Sequence, residues 1–224
     1  MAIKKILVLG DSLTFGRPKY QIYNEDTWPG LLEAAGHRVY QRGKGGAGSI
    51  AVLNEARHLY GYMVDGVSNL QPPFDFCFIQ AGIVDCTPRL FSKNFFRIIG
   101  LLPSGGRITS GLSRAGSLVR LTGKPWVSLK KFEKNINNIL DLCSQLATRV
   151  VFIEIAKPAH FLINNCGDFS SLVVQYNLVL RNVSNGSYLP VFDEKDIDSL
   201  LLPDGHHLTK AGHKRVADKI LSII

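Results

Sequence analysis

The sequence predicts an α/β domain, with five parallel strands sandwiched between helices. Three observations lead there. Strand-like and helix-like segments alternate along most of the chain, as parallel crossovers require. The apolar runs "ILVL" and "RVVFIEI" lack the in–out alternation of a half-exposed sheet, so they read as central strands buried on both faces. Finally, turns rich in Gly and Asp follow the strands, where open α/β sheets place their sites.

Taken in order, strands are expected at residues 3–9, 37–41, 74–80, 149–156 and 188–192. Helices are expected at 28–35, 49–60, 128–147, 169–183 and 210–224. The helix at 128–147 has the clearest pattern, with Leu129, Phe132, Ile136, Ile139, Leu140 and Leu146 repeating near the helical period. Asp168 and Thr209 stand where helix N-caps belong. The stretch at about 90–125 breaks the pattern. It begins amphipathic, with Phe95, Phe96, Ile98 and Ile99 beside Lys93 and Arg97, and then turns to Gly, Ser and Arg. It is expected to be an insertion or lid within a single domain spanning 1–224.

Composition narrows the function classes. The chain has 224 residues, 46% hydrophobic and 20% charged, an ordinary balance for one globular core. No apolar run approaches the ~20 residues that span a bilayer. The opening "MAIKKILVLGDS" reads as a first strand rather than a leader peptide, so a cytoplasmic location is expected. Cys77, Cys86, Cys143 and Cys166 lack zinc-type spacing and are expected to be buried thiols. The net charge of +8 is concentrated: nine basic residues and no acidic one lie between Cys86 and Phe132. Such a field attracts anions, although a solvated face would look the same.

The chemistry sits at the two ends. "LVLGDSLTFG" runs from a buried strand into a tight turn that exposes Ser12. Near the other end, "LPDGHHLTKAGHKR" sets Asp204 three residues before His207. A serine hydroxyl is a weak nucleophile and needs a base, which in turn needs an acid to fix its tautomer. An Asp-x-x-His turn at the sheet edge could supply both, with His206 an alternative base; His206 and His213 otherwise read as surface residues. Between the ends lie the glycine cluster "QRGKGGAGS" and "QAGIVDC" after the third strand.

With "GDSLTFG", the Gly-rich turn, Gly-x-x-Asp and Asp-x-x-His in this order, the sequence resembles the SGNH (GDSL) hydrolases from Ile3 to the last helix. The resemblance implies a three-layer, flavodoxin-like fold that carries esterases, lipases, thioesterases and carbohydrate deacetylases, with no cofactor and no metal. It implies Ser12 as nucleophile, His207 as base and Asp204 as its orienting acid, with the N–H groups of Ser12 and Gly46 binding the oxyanion. The sequence departs from the family at its third block, Gly-x-Asn-Asp, whose Asn donates to the oxyanion. Here the block is Gly82, Ile83, Val84 and Asp85, and valine has no donor to offer. Asp11, Val84, Asp85 and Arg89 are the candidate substrate contacts, with Arg89 the nearest basic substitute donor.

The expected function is removal of a small acyl group, acetyl foremost, from a carbohydrate or other anionic substrate. Acyl transfer to a polysaccharide and non-catalytic glycan binding are the alternatives. The expected partner is a small-molecule or saccharide ester, without nucleic acid or membrane-surface association.

Overall fold

A computed structural model describes residues 2–65, 73–89 and 123–224. Five parallel strands, β1 (Lys5–Gly10), β2 (Arg38–Gln41), β3 (Phe74–Gln80), β6 (Ala147–Ile153) and β7 (Tyr188–Leu189), form a sheet in the order β2-β1-β3-β6-β7. A separate antiparallel ribbon pairs β4 (Pro88–Arg89) with β5 (Lys124–Pro125). The helices are α1 (Trp28–Ala34), α2 (Ser49–Val64), α3 (Ile83–Cys86), α4 (Leu129–Leu146), α5 (His160–Cys166), α6 (Ser170–Val183), α7 (Ile197–Leu200) and α8 (Lys210–Leu221). Helices α2, α4 and α6 pack side by side as one layer, and α1 with α8 as the other.

Burial explains the strand sequences. Ile6, Leu7, Val8 and Leu9 of β1 are all fully buried between the two helix layers. Each such side chain contributes roughly 1.5–3 kcal/mol of transfer free energy. Edge strand β2 keeps Val39, Tyr40 and Gln41 only half-buried. On α4 the stripe Phe132, Ile136, Ile139, Cys143 and Leu146 faces the core. Thr209 is the N-cap of α8, its Oγ1 accepting from Gly212 N, whereas Phe169 takes the cap position of α6 and Asp168, one residue earlier, accepts from Ser170 N. Cys77, Cys86 and Cys143 are buried free thiols. Burial raises the pKa of both Cys77 and Cys86, which keeps them protonated and unreactive.

The strand ends depart from expectation for identifiable reasons. β6 stops at Ile153, not Ala156, because the Asn177 side chain takes both the N–H and the carbonyl of Ile155. β7 stops at Leu189, not Phe192, because the Glu154 carboxylate accepts the N–H groups of Val191 and Phe192. β1 starts at Lys5 because its pairing with β2 begins there, leaving Ile3 two-thirds exposed. Most of the basic insertion lies outside the described residues; β4 and β5 are its two described ends. No helix among the described residues is long and apolar enough to cross a membrane.

The order matters for function. β1 lies between β2 and β3, so the chain reverses its direction of winding at the carboxyl end of β1. Crevices that bind ligands open at such points. Ser12 follows β1, and Ile83 and Val84 follow β3.

Candidate active site

The serine side is built directly on the sheet. After Gly10 the chain turns into one 3-10 turn, Ser12–Thr14, capped by Asp11 Oδ1 accepting from Leu13 N at 2.9 Å. A Cβ on Gly10 would lie 2.6 Å from the carbonyl oxygen of Gln80 and 2.7 Å from Thr14 Cγ2, so only glycine allows the turn to close against β3. Asp11 N donates to that same Gln80 carbonyl, and Gln41 Nε2 donates to the carbonyl of Thr14. Leu13 and Thr14 are buried, so Ser12 stands on an anchored base and points outward. Its N–H is the first of the turn, where helical geometry provides no internal partner.

The histidine side is a turn between α7 and α8. Leu202 N donates to the His207 carbonyl at 2.7 Å, and Leu201 and Leu208 bridge its base. Gly205, at φ +80°, closes the turn, donates to the Leu202 carbonyl and accepts from Ala159 N. This lets Asp204 bind His207 twice. Oδ1 accepts the His207 backbone N–H at 3.0 Å, and Oδ2 lies 2.8 Å from Nδ1. Burial works against the Asp204 charge, but the hydrogen bonds from His207 outweigh it and hold the carboxyl well below the usual range.

The two sides meet across 195 residues: Ser12 Oγ is 2.9 Å from His207 Nε2. With Nδ1–H donating to Asp204, Nε2 is the acceptor, and Ser12 donates to it. The arrangement can draw a proton from Ser12 and stabilise the resulting imidazolium. His206 is tied to Asp204 and not to Ser12: its N–H donates to Asp204 Oδ1 at 3.2 Å, and its Nδ1 lies 3.2 Å from the Asp204 carbonyl oxygen. Its ring lies 4.1 Å from that of His207 between centroids, and burial, then the neighbouring His207, lowers its pKa to about 4. Asp204, His206 and His207 bring ligand-type atoms within 4.8 Å of one another, a spacing a metal could use, but Oδ2 and Nδ1 already bind each other.

Ser12 and His207 open onto a cleft of about 940 Å³ walled also by Gly46, Val84, Arg89 and Trp126. Gly46 has φ +68°, and Val84 adds an apolar side. The Arg89 guanidinium lies over the Trp126 ring at 5.1 Å, a cation–π contact at the foot of the β4–β5 ribbon.

Two candidate substrate contacts prove to be internal instead. Asp85 is fully buried; its carboxylate accepts from Ser49 N and from Ser49 Oγ at 2.8 Å, holding the start of α2. Asp11 is also fully buried behind the serine, and one of its oxygens has no partner. Burial pushes the Asp11 carboxyl up to about 7; Asp85 adds to this, while Leu13 N–H and Arg17 oppose it. His213 is likewise interior, not a surface residue. It is 1% exposed, accepts from Trp28 N, and burial lowers its pKa to about 4.

One site residue has no signal in the sequence. Arg17 lines the cleft, and its Nη2 hydrogen-bonds to His207 Nε2, the atom that Ser12 also contacts. The residues are 190 apart and belong to no local motif.

Comparison with known proteins agrees with this architecture. A crystal structure of an alpha/beta hydrolase enzyme from the metagenome of Lake Arreo, Spain, is 15% identical, with a TM-score of 0.60 over 99% of this chain and 95% of that one. A lipase/acylhydrolase from Enterococcus faecalis is 15% identical, with a TM-score of 0.61 over 98% and 94%. An acetylxylan esterase from Geobacillus stearothermophilus is 16% identical, with a TM-score of 0.53 over 98% and 93%. These likenesses establish the three-layer fold. No curated protein matches the sequence. The model of the GDSL-like lipase/acylhydrolase family matches residues 8–215, and the chain therefore belongs to that family of SGNH-type hydrolases.

Proposed function

We propose that this hydrolase is a serine esterase that removes a small acyl group, acetyl foremost, from a carbohydrate or other anionic substrate. The observation that carries the reading is the continuous path from Ser12 Oγ to His207 Nε2 at 2.9 Å and from Nδ1 to Asp204 at 2.8 Å, open to a cleft. Ser12 attacks the ester carbonyl while its proton passes to His207. The tetrahedral oxyanion is held by the N–H groups of Ser12 and Gly46, and the bond to the alcohol breaks as His207 returns the proton to the leaving oxygen. Water then hydrolyses the acyl-serine by the same route, and Asp204 stabilises the imidazolium in both steps.

Guanidinium groups on the cleft wall favour an anionic substrate. The fold shared with an acetylxylan esterase is consistent with a sugar acetate. The test is hydrolysis of acyl esters, with labelling of Ser12 by a fluorophosphonate. Ser12→Ala is expected to lose labelling and to reduce kcat by about four to six orders of magnitude. Binding of a glycan without labelling or turnover would replace this reading with non-catalytic binding. Product transfer to an added saccharide in preference to water would replace it with acyl transfer.

A further inference from the structure

The contact between Arg17 and His207 has a consequence for substrate choice, and it rests on the esterase reading above. Arg17 sits on a pinned backbone. Its N–H donates to the Ile22 carbonyl at 2.6 Å, Ile22 N donates back at 3.2 Å, and the Ile22 side chain is 2% exposed. From this hairpin the guanidinium enters the cleft, and its Nη2 hydrogen-bonds to His207 Nε2. Its Nε is buried without a partner. No ion pair joins Arg17 to a carboxylate among the described residues. Asp204 is bound to His207, and Asp11 lies fully buried behind the serine turn.

The reaction makes a demand on the same place. To return its proton, Nε2 must come within hydrogen-bond reach of the leaving oxygen, which is bonded to the same tetrahedral carbon as Ser12 Oγ. In the free protein Arg17 Nη2 is also bonded to that nitrogen. A leaving oxygen must therefore displace the guanidinium or share it. A neutral alcohol offers the guanidinium little in exchange for the imidazole lone pair. A carboxylate or phosphate close to the ester oxygen offers two parallel charge-assisted hydrogen bonds, which also engage the unpartnered Nε.

We infer that Arg17 selects esters whose alcohol half carries an anionic group, carboxylate or phosphate, beside the scissile oxygen. Bound to that anion, Arg17 leaves Nε2 free to receive the serine proton and pass it to the leaving oxygen. The acyl half does not enter this selection.

Three acetate esters with closely similar leaving phenols form the test: phenyl acetate, meta-acetoxybenzoate and meta-acetoxyphenyl phosphate. The wild type is expected to hydrolyse at least one of the two anionic esters with kcat/KM about ten- to a hundredfold above phenyl acetate, the range of charge-assisted hydrogen bonds. Which one is preferred tells carboxylate from phosphate. Arg17→Ala should bring the ratio to about one, slowing the anionic ester while speeding phenyl acetate as Nε2 is freed. Arg17→Lys should keep part of the preference, since one ammonium replaces the two-pronged contact. Equal rates on all three esters in the wild type, or a preference that survives Arg17→Ala, overturns the inference and leaves the esterase reading intact. No turnover of any ester and no labelling of Ser12 overturns both together.

Discussion

Ser12 and His207 share one hydrogen bond but reach it from unlike surroundings. The serine turn extends directly from the central strand β1, and Asp11, Leu13 and Thr14 around it are 3% exposed or less. The histidine turn hangs between two helices, with side-chain exposures of 14% for His207 and 31% for Asp204. Two aspartates of the site region differ in the same way. Asp85, buried, holds the start of a helix; Asp204, half-exposed, holds a base. The difference teaches a division of labour. The nucleophile needs a position fixed by the core, whereas the base needs a fixed tautomer and orientation, which one turn supplies.

That division can be broken most forcefully on the histidine side. Asp204→Asn should lower kcat by about three to four orders of magnitude, because an amide no longer secures the tautomer that leaves Nε2 as acceptor. The melting temperature should change little, since the residue is half-exposed. A variant with full activity would show that the turn orients His207 without the carboxylate.

The buried aspartate should respond in the opposite way. Asp85→Ala leaves Ser49 N and Oγ without their shared acceptor, and disturbs Asn135, whose Nδ2 donates to Ser49 Oγ at 2.8 Å. The expected loss is about 2–3 kcal/mol of stability in a denaturant titration, with kcat retained in the folded fraction. A kcat loss as large as that of Asp204→Asn, at unchanged stability, would make Asp85 a contact with substrate after all.

A third effect concerns pH. Asp11 keeps its proton up to about pH 7 in the folded chain, against about 3.9 when unfolded. Between these values the folded state binds more protons at this site, so its contribution to stability falls as pH rises from about 4 to about 7. Asp11→Asn keeps an acceptor for Leu13 N–H and never ionises. Its melting temperature should therefore gain on the wild type at pH 8 relative to pH 4. Parallel melting curves across that range would mean that Arg17 and Leu13 hold the Asp11 charge as well as water does.

The same contrast decides what could be read from the sequence. β1, β3 and α4 are legible because burial imposes an apolar run or a helical period on neighbouring residues. Asp204 and His207 are legible because one turn holds both. The shortened ends of β6 and β7 are not, since Asn177 and Glu154 reach them from elsewhere in the chain. The burial of Asp85 and His213 is hidden for the same reason: a charged or ionisable letter reads as surface until its distant partner is known. Arg17 shows this most clearly, being an ordinary basic residue in a loop until the fold brings His207 to it.

The small ribbon beside the cleft has one more consequence. Arg89 and Lys124 are register partners, so the two ends of the stretch between them lie side by side. The sheet runs from β3 to β6 whatever number of residues lies between those two ends. Because its ends are adjacent, a stretch of another length can join the same two points, with Arg89 and Trp126 marking the splice.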